Sequence, residues 1–286
     1  MQSIKAFFIG ICLVFSTLGP VQACTLYGAS GGWVEDGGVL VAKNRDWTPQ
    51  YQELRLVQPK EGYTYYGWFK GDNEPSALAG GLNQQGLAVF SATAGTIKKA
   101  ERLAMPHYKG SVLKTLLTTC SSVDEALAMK DVFLGPQYLI LADKSQVAYV
   151  EIGPEGNFAV KQTTDGALFH TNHYVEESMQ WANYLSPGAS SAARYERISQ
   201  LLDGVDKPYS MQNFIDFSND QSNGPDKSIW RSGSTDTITQ TLGAMIIHFS
   251  QQGRIKIYVK MRETPWGRGQ EKTLTLSDKD IFSAIQ

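Results

Sequence analysis

The chain has 286 residues, of which 42% are apolar and 19% charged, so it is long enough to bury a large core and too apolar for disorder. Its 26 basic and 28 acidic side chains give a net charge of −2, and no run of lysines forms a local basic patch. Binding of nucleic acid or of an anionic membrane surface is therefore not expected.

The first 23 residues have the pattern of a secretory signal. Lys5 is the only charged side chain before Cys24, and an apolar run over residues 6–18 ends at a Gly-Pro pair. The run is too short for a membrane-spanning helix, and no other segment is apolar enough, so no stable membrane insertion is expected. Because Ala23 offers the small side chain that leader peptidase requires, we expect residues 1–23 to be removed, leaving a periplasmic or secreted chain that starts at Cys24.

The sequence after Cys24 is rich in predicted strands. Two apolar stretches, 24–29 and 38–42, flank a Gly-rich turn and predict a hairpin. Stretches bounded mostly by Gly, Pro, Asn or Asp predict further strands at 54–57, 63–69, 86–91, 138–141, 147–152, 158–161 and 167–169. Residues 241–249 and 255–260 flank a Gly-containing turn and predict a second hairpin.

Three helices are predicted in the middle of the chain, at 111–119, 122–129 and 191–202. Ser122, with Glu125 three residues later, predicts a capping box at the start of the second helix. Because the helices interrupt runs of strands, the pattern predicts an α+β fold with antiparallel sheets. The sequence contains no internal repeat or low-complexity linker, so residues 24–286 are expected to form one domain.

Removal of the signal would leave two cysteines, Cys24 and Cys120, so no disulfide framework is expected in spite of an oxidising compartment. Cys120 follows the apolar spacing of the predicted helical region and is expected to be a buried structural thiol. Cys24 has no such pattern around it. As a new N-terminal residue it would carry both a thiol and an α-amine that can accept a proton at neutral pH, so it could act as its own base.

Four motifs after Cys24 resemble those of one enzyme family. They occupy residues 42–47 (AKNRDW), 81–89 (GLNQQGLAV), 171–173 (TNH) and 228–231 (SIWR). With Cys24 they resemble the N-terminal nucleophile (Ntn) hydrolases of linear amide C–N bonds, which include choloylglycine hydrolases, penicillin V acylases and acyl-CoA:isopenicillin-type acyltransferases. The resemblance implies a four-layer αββα sandwich that cleaves a small N-acyl amide, such as a bile salt or penicillin V, through a thioester and without a cofactor.

The resemblance also implies roles for individual residues. Cys24 would be both nucleophile and base, and Asp46 would bind and orient its α-amine. Asn172 would offer its side-chain amide to the oxyanion or to the nucleophile. Thr93 would supply a second contact at a position where bile-salt enzymes carry asparagine, although its side chain cannot present an amide.

The sequence favours Lys43 as the basic residue near Cys24 and leaves Arg45 as the alternate. The bile-salt and penicillin V enzymes carry arginine three residues before the aspartate, where this chain has Lys43, and Arg45 is the alternative. A regular strand would place Lys43 and Arg45 on one face and Asp46 on the other, and a bulge would change this. A cation near Cys24 would favour the thiolate. Arg231 would pair with Asp46 or with a substrate carboxylate, or lie on the surface.

Two short sequence patterns suggest other kinds of site, a serine nucleophile and a metal site. Residues 28–32 fit the Gly-x-Ser-x-Gly pattern of a serine nucleophile at Ser30, but the following residues predict a turn where that site needs a helix. His170, His173 and Glu176 are evenly spaced, yet they fall on a strand and loop rather than a helix, so no metal site is expected.

The competing non-enzymatic interpretation is a lipoprotein. Residues 21–24 (VQAC) form a tolerable lipobox, and lipidation would acylate both the thiol and the amine of Cys24. Gln22 counts against it, because a small residue is preferred there. The sequence leaves open the acyl and amine parts of the substrate, hydrolysis against acyl transfer, and a homo-oligomeric state. The aromatic residues of 63–69 predict either core packing or an apolar acyl pocket.

Overall fold

The computed structural model describes residues 23–71, 77–265 and 269–283. The predicted signal, apart from Ala23, lies outside these residues.

Thirteen strands are present in the described part of the chain. They are β1 (Ala23–Ser30), β2 (Val39–Trp47), β3 (Gln52–Val57), β4 (Tyr65–Lys70), β5 (Ala77–Asn83), β6 (Ala88–Thr93), β7 (Gln137–Ala142), β8 (Val147–Ile152), β9 (Phe158–Thr163), β10 (Gly166–His170), β11 (Gln240–Phe249), β12 (Ile255–Arg262) and β13 (Glu271–Ser277). The first sheet has the order β10-β1-β2-β11-β12-β13 and the second runs from β3 to β9 in sequence order. All pairings between neighbouring strands are antiparallel.

Six α-helices accompany the strands within these residues. They are α1 (Lys99–Ala104), α2 (Val112–Thr119), α3 (Val123–Ala128), α4 (Ala189–Asp203), α5 (Met211–Ser218) and α6 (Asp278–Phe282). Ser122 caps α3 as predicted, accepting a hydrogen bond from the Glu125 backbone nitrogen at 3.2 Å. The predicted capping box is not completed, because the Glu125 carboxylate accepts from the backbone nitrogen of Ser121 rather than from that of Ser122. None of these helices is long and apolar enough to cross a membrane.

Three apolar clusters separate four layers. The first fills the space between the two sheets, for example with Leu26 and Phe90. The second joins the outer face of the second sheet to α2 and α3, and the third joins the outer face of the first sheet to α4 and α5. Because side chains alternate between the two faces of a strand, each buried strand contributes side chains to two of these clusters. The predicted α+β fold, an αββα sandwich with antiparallel sheets, is confirmed.

The N-terminal hairpin forms as predicted and places Ser30 at its turn. The register of β1 and β2 is continuous from Ala23 opposite Asp46 to Ser30 opposite Val39. A single 3-10 turn at Gly31–Trp33 follows, so the helix that a serine nucleophile needs is not formed there. The buried Ser30 hydroxyl donates to the Thr163 carbonyl at 3.0 Å, which gives it a structural role.

Candidate active site

Cys24 is the second residue of β1 and lies in a central part of the first sheet. Its cross-strand partner on β2 is Arg45, so both side chains lie on the face directed toward the second sheet. The residue is only 7% exposed and lines a cavity of about 300 Å³. Its backbone nitrogen donates to the side-chain oxygen of Asn172 at 2.9 Å. A thiol that lines a cavity can contact a small molecule bound there without any movement of the strand backbone.

Asn172 is held against Cys24 by hydrogen bonds on both sides of its amide. Its Oδ1 accepts from the Cys24 nitrogen, and its Nδ2 donates to the backbone carbonyl of Thr93 at 2.9 Å. The Asn172 nitrogen donates to the hydroxyl of Ser191 at 3.0 Å, which fixes the segment just after β10. The structure thus brings Asn172 and Thr93 to Cys24, and Thr93 contacts Asn172 through its carbonyl.

Asp46 lies on the opposite face of β2 from Arg45, across from Ala23. Its Oδ1 accepts from the Thr241 hydroxyl at 2.7 Å, and its Oδ2 has no hydrogen-bond partner among the described residues. Burial raises the pKa of Asp46 above its usual value, and the guanidinium groups of Arg194 and Arg231 oppose this rise. Asp46 does not accept the Cys24 nitrogen here, because with Ala23 attached that nitrogen has one hydrogen, which Asn172 takes.

Arg194, which the sequence interpretation did not include, connects these groups. It is fully buried on α4 and donates to the Cys24 carbonyl at 2.5 Å and to Oδ1 of Asn172 at 2.9 Å. Its Nε lies 3.9 Å from Oδ2 of Asp46. Burial lowers the pKa of Arg194 to about 10, while Asp46 opposes this effect. The sequence contains one indication that Arg194 is buried. At helical spacing it shares a face with the apolar residues Ile198 and Leu202, where a charged side chain is unusual.

Arg231 is the second cation beside Asp46. Its Nη1 lies 3.8 Å from Oδ2 of Asp46, and the residue is 4% exposed. Its backbone nitrogen donates to the same Thr241 hydroxyl that bonds Asp46. Of the alternatives that the sequence allowed, the structure selects pairing with Asp46, and Arg231 is not among the residues that line the cavity.

Lys43 and Arg45 both face the cavity, so no bulge is needed to bring either one to Cys24. The Lys43 ammonium donates to the carbonyls of Ala79 at 2.8 Å and Ser91 at 2.7 Å. Arg45 donates to Oε1 of Gln52 at 2.9 Å. Burial lowers the pKa of Lys43 to about 8 and that of Arg45 to about 10, and the electrostatic interaction with Cys24 opposes both shifts.

The depressed pKa of Lys43 predicts a stability that depends on pH. Between pH 8 and the ordinary lysine value of 10.5, the unfolded chain binds a proton that the folded chain releases. The unfolding free energy should therefore rise with pH across this window, by about 3 kcal/mol from this group. Urea unfolding of the wild type and Lys43→Met at several pH values measures it, because the difference between the two removes the titration of all other groups. Parallel curves would contradict the prediction.

The aromatic segment 63–69 is both core and cavity wall. Trp68 packs between the sheets, whereas Tyr65 and Phe69 belong to the second apolar cluster. Tyr65 and Phe69 also line a neighbouring cavity of about 440 Å³, which shares Lys70 and Ser91 with the cavity beside Cys24. The two interpretations of this segment are therefore compatible.

The three evenly spaced residues of the rejected metal pattern do not converge. His170 lies 2.7 Å from the buried carboxylate of Glu151, whereas His173 contacts the hydroxyl of Ser191 at 2.9 Å. Burial lowers the pKa of His173 to about 4. Within the described ranges, no group of three or more His, Cys, Asp or Glu side chains is placed to hold a metal ion.

This architecture and these contacts can be compared with known proteins. The sequence matches the family model of acyl-coenzyme A:6-aminopenicillanic acid acyl-transferases over residues 33–263. Because this match covers most of the chain, the chain belongs to that family, which is of the Ntn type and includes acyltransferases. A search of curated proteins finds no significant match.

Solved structures share the fold. Two mutant forms of the conjugated bile acid hydrolase from Clostridium perfringens superpose with TM-scores of 0.58 and 0.57, each at 14% identity. The matches cover 88% and 87% of this chain and 92% of each of those chains. At this identity the likeness establishes the Ntn hydrolase fold. Together, the family and the fold define an enzyme of the Ntn type.

Proposed function

We propose that the chain is exported, is cut between Ala23 and Cys24, and then hydrolyses the linear amide C–N bond of a small N-acyl compound. The observation that carries the proposal is the setting of Cys24, whose thiol lines a cavity while its nitrogen and carbonyl are held by Asn172 and Arg194. A backbone fixed in this way presents the thiol and the future α-amine in one defined geometry, as a nucleophile that is its own base requires.

The first step forms the thioester. The α-amine takes the thiol proton, and the sulfur attacks the substrate carbonyl carbon. Removal of Ala23 frees the space facing Asp46, whose Oδ2 then accepts a hydrogen bond from the ammonium group. Asn172 uses one amide hydrogen on Thr93, so the other can donate to the oxyanion. The C–N bond breaks as the leaving amine receives the proton.

The second step releases the acyl group. A water molecule, activated by the same α-amine, attacks the thioester and yields a carboxylic acid and the free thiol. An amine acceptor in place of water would make the enzyme an acyltransferase through the same intermediate, which is the activity in the name of the matched family. Lys43 and Arg45 stabilise the thiolate in both cases, because both cations line the same cavity and interact electrostatically with Cys24.

The lipoprotein alternative fits this setting poorly. Cys24 lies within a strand of the sandwich and is 7% exposed, and its thiol faces the cavity between charged side chains. Acyl chains attached there would have to lie in a polar cavity rather than in a membrane. Ser30, in the glycine-rich turn, is not a rival nucleophile either, because its hydroxyl is buried and already donates to the carbonyl of Thr163.

The test combines the N-terminus with a substrate panel. We expect Edman sequencing of the exported protein to begin at Cys24 and its intact mass to show no lipid. The protein should hydrolyse at least one member of a panel of N-acyl amides that includes penicillin V, conjugated bile salts and acyl-homoserine lactones. A matched chain that retains one residue before Cys24 should fold and be inactive. A mature start elsewhere, or a mass with added acyl chains, would contradict the proposal.

A further inference from the structure

We propose that the cavity beside Cys24 binds substrates that carry two or more negative charges. The inference rests on the proposed function, because it names the substrate class of that same site.

The charge of the cavity wall is one-sided. Among the described residues, five lysine or arginine side chains line it, namely Lys43, Arg45, Lys70, Lys99 and Arg102, and no aspartate or glutamate does. The chain as a whole is slightly acidic, with a net charge of −2. The cavity wall is therefore positive although the chain as a whole is not, and it would attract anionic small molecules.

The cations reach the cavity from three different elements. Lys43 and Arg45 come from β2 beside the nucleophile, and Lys70 ends β4. Lys99 and Arg102 come from α1. Burial and the neighbouring Arg45 both lower the pKa of Lys70, which reflects the cost of bringing these charges together. An anion bound between them would offset that repulsion.

Hydrogen-bonding capacity in the wall is unused. Nη2 of Arg45 and Nε of Arg102 are buried and have no hydrogen-bond partner in the described part of the chain. Arg45 is 1% exposed, so this donor cannot turn to bulk water. In the same part of the chain no carboxylate forms an ion pair with Lys70, Lys99 or Arg102. Buried guanidinium donors without partners are suited to carboxylate, sulfonate or phosphate oxygens.

The number of cations argues for more than one negative charge. Lys43, Arg45 and Lys70 already interact electrostatically with Cys24, and this interaction opposes the effect of burial on the pKa of each cation. Lys99 and Arg102, both on α1, remain for the substrate. A volume of about 300 Å³ fits a small, highly charged part of a substrate, such as a dicarboxylic amino acid.

The first test measures the cavity without any substrate. Iodoacetate and iodoacetamide alkylate a thiolate by the same displacement of iodide, but only iodoacetate is anionic. The quantity compared is the rate constant for iodoacetate divided by that for iodoacetamide. We expect this ratio at Cys24 to be about ten times the ratio for free cysteine at low salt, and to fall as salt is added. The change Lys99→Gln with Arg102→Gln should lower the ratio several-fold. The matched control, Lys98→Gln, removes an exposed cation that does not line the cavity and should leave it unchanged.

The second test compares substrates that differ only in charge. For one acyl group, kcat/KM should fall from N-acyl glutamate through N-acyl glutamine to N-acyl glutamine amide. Equal values for the three amides, together with an iodoacetate ratio near one, would overturn the proposal while leaving the amidohydrolase function in place. A raised ratio that depends on Lys99 and Arg102, with no amide cleaved, would support the anionic site and overturn the proposed function.

Discussion

Replacing Cys24 with serine is expected to lower turnover of any substrate amide by about 10⁴-fold or more, the range in which removal of a nucleophile falls. The variant keeps the α-amine but replaces the thiol with a far weaker acid, so the transfer that generates the nucleophile becomes much harder. The fold should survive, because serine is slightly smaller and Cys24 forms its sheet contacts through the backbone. Steady-state kinetics and urea unfolding of the same preparations measure the two effects.

Two control variants make this result specific. Cys120→Ser changes the other cysteine of the described chain, which is 2% exposed and whose pKa is raised by burial, so turnover should remain near that of the wild type. Ser30→Ala should likewise retain activity. If Cys24→Ser hydrolyses amides at the wild-type rate, or if Ser30→Ala is the inactive variant, the cysteine mechanism is wrong.

Replacing Arg194 with methionine should have the largest effect on stability. The guanidinium donates to Cys24 and Asn172 and is one of two cations beside the buried carboxylate of Asp46. Its removal leaves that carboxylate underpaired, at a cost of about 3–5 kcal/mol in unfolding free energy. Turnover should fall as well, because the Cys24 backbone loses its fixed position. Urea unfolding measures the first effect and kcat the second.

The matched control for Arg194 lies three residues further along α4. Arg197 pairs with Asp220 at 2.6 Å but is partly exposed, so Arg197→Met should cost about 1 kcal/mol or less. The double change Arg194→Met with Asp46→Asn should regain part of the lost stability, because the unpaired charge is gone, while activity stays low. Equal stability losses for Arg194→Met and Arg197→Met would contradict the charge network that we describe.

The β2 segment shows how far sequence reasoning reached. Period-two alternation correctly placed Lys43 and Arg45 on one face and Asp46 on the other, because a continuous hairpin has no alternative once its turn is set. The choice between the two cations could not be settled from sequence, since both face the same cavity. Arg194 was missed because its partners are distant along the chain, and only the packing of α4 on the sheet brings them together.

Elements at the edges were also missed. The sequence of β13 is partly exposed and contains Thr and Lys, so it has no clear strand pattern of its own. It forms a strand through antiparallel pairing with β12. Helix α1 has no buried residue, so no apolar period marks it in the sequence. These are segments whose conformation is decided by neighbouring elements rather than by their own side chains.

The place of Ala23 in β1 would impose an order of events on the proposed maturation. Ala23 is 1% exposed and pairs with Asp46, and on the other side the Cys24 nitrogen is engaged by Asn172. A peptidase needs the backbone on both sides of the scissile bond to be free. The proposed cut must therefore come before the sheet closes around this bond, so that a chain folding too early would bury its own cleavage site and remain inactive.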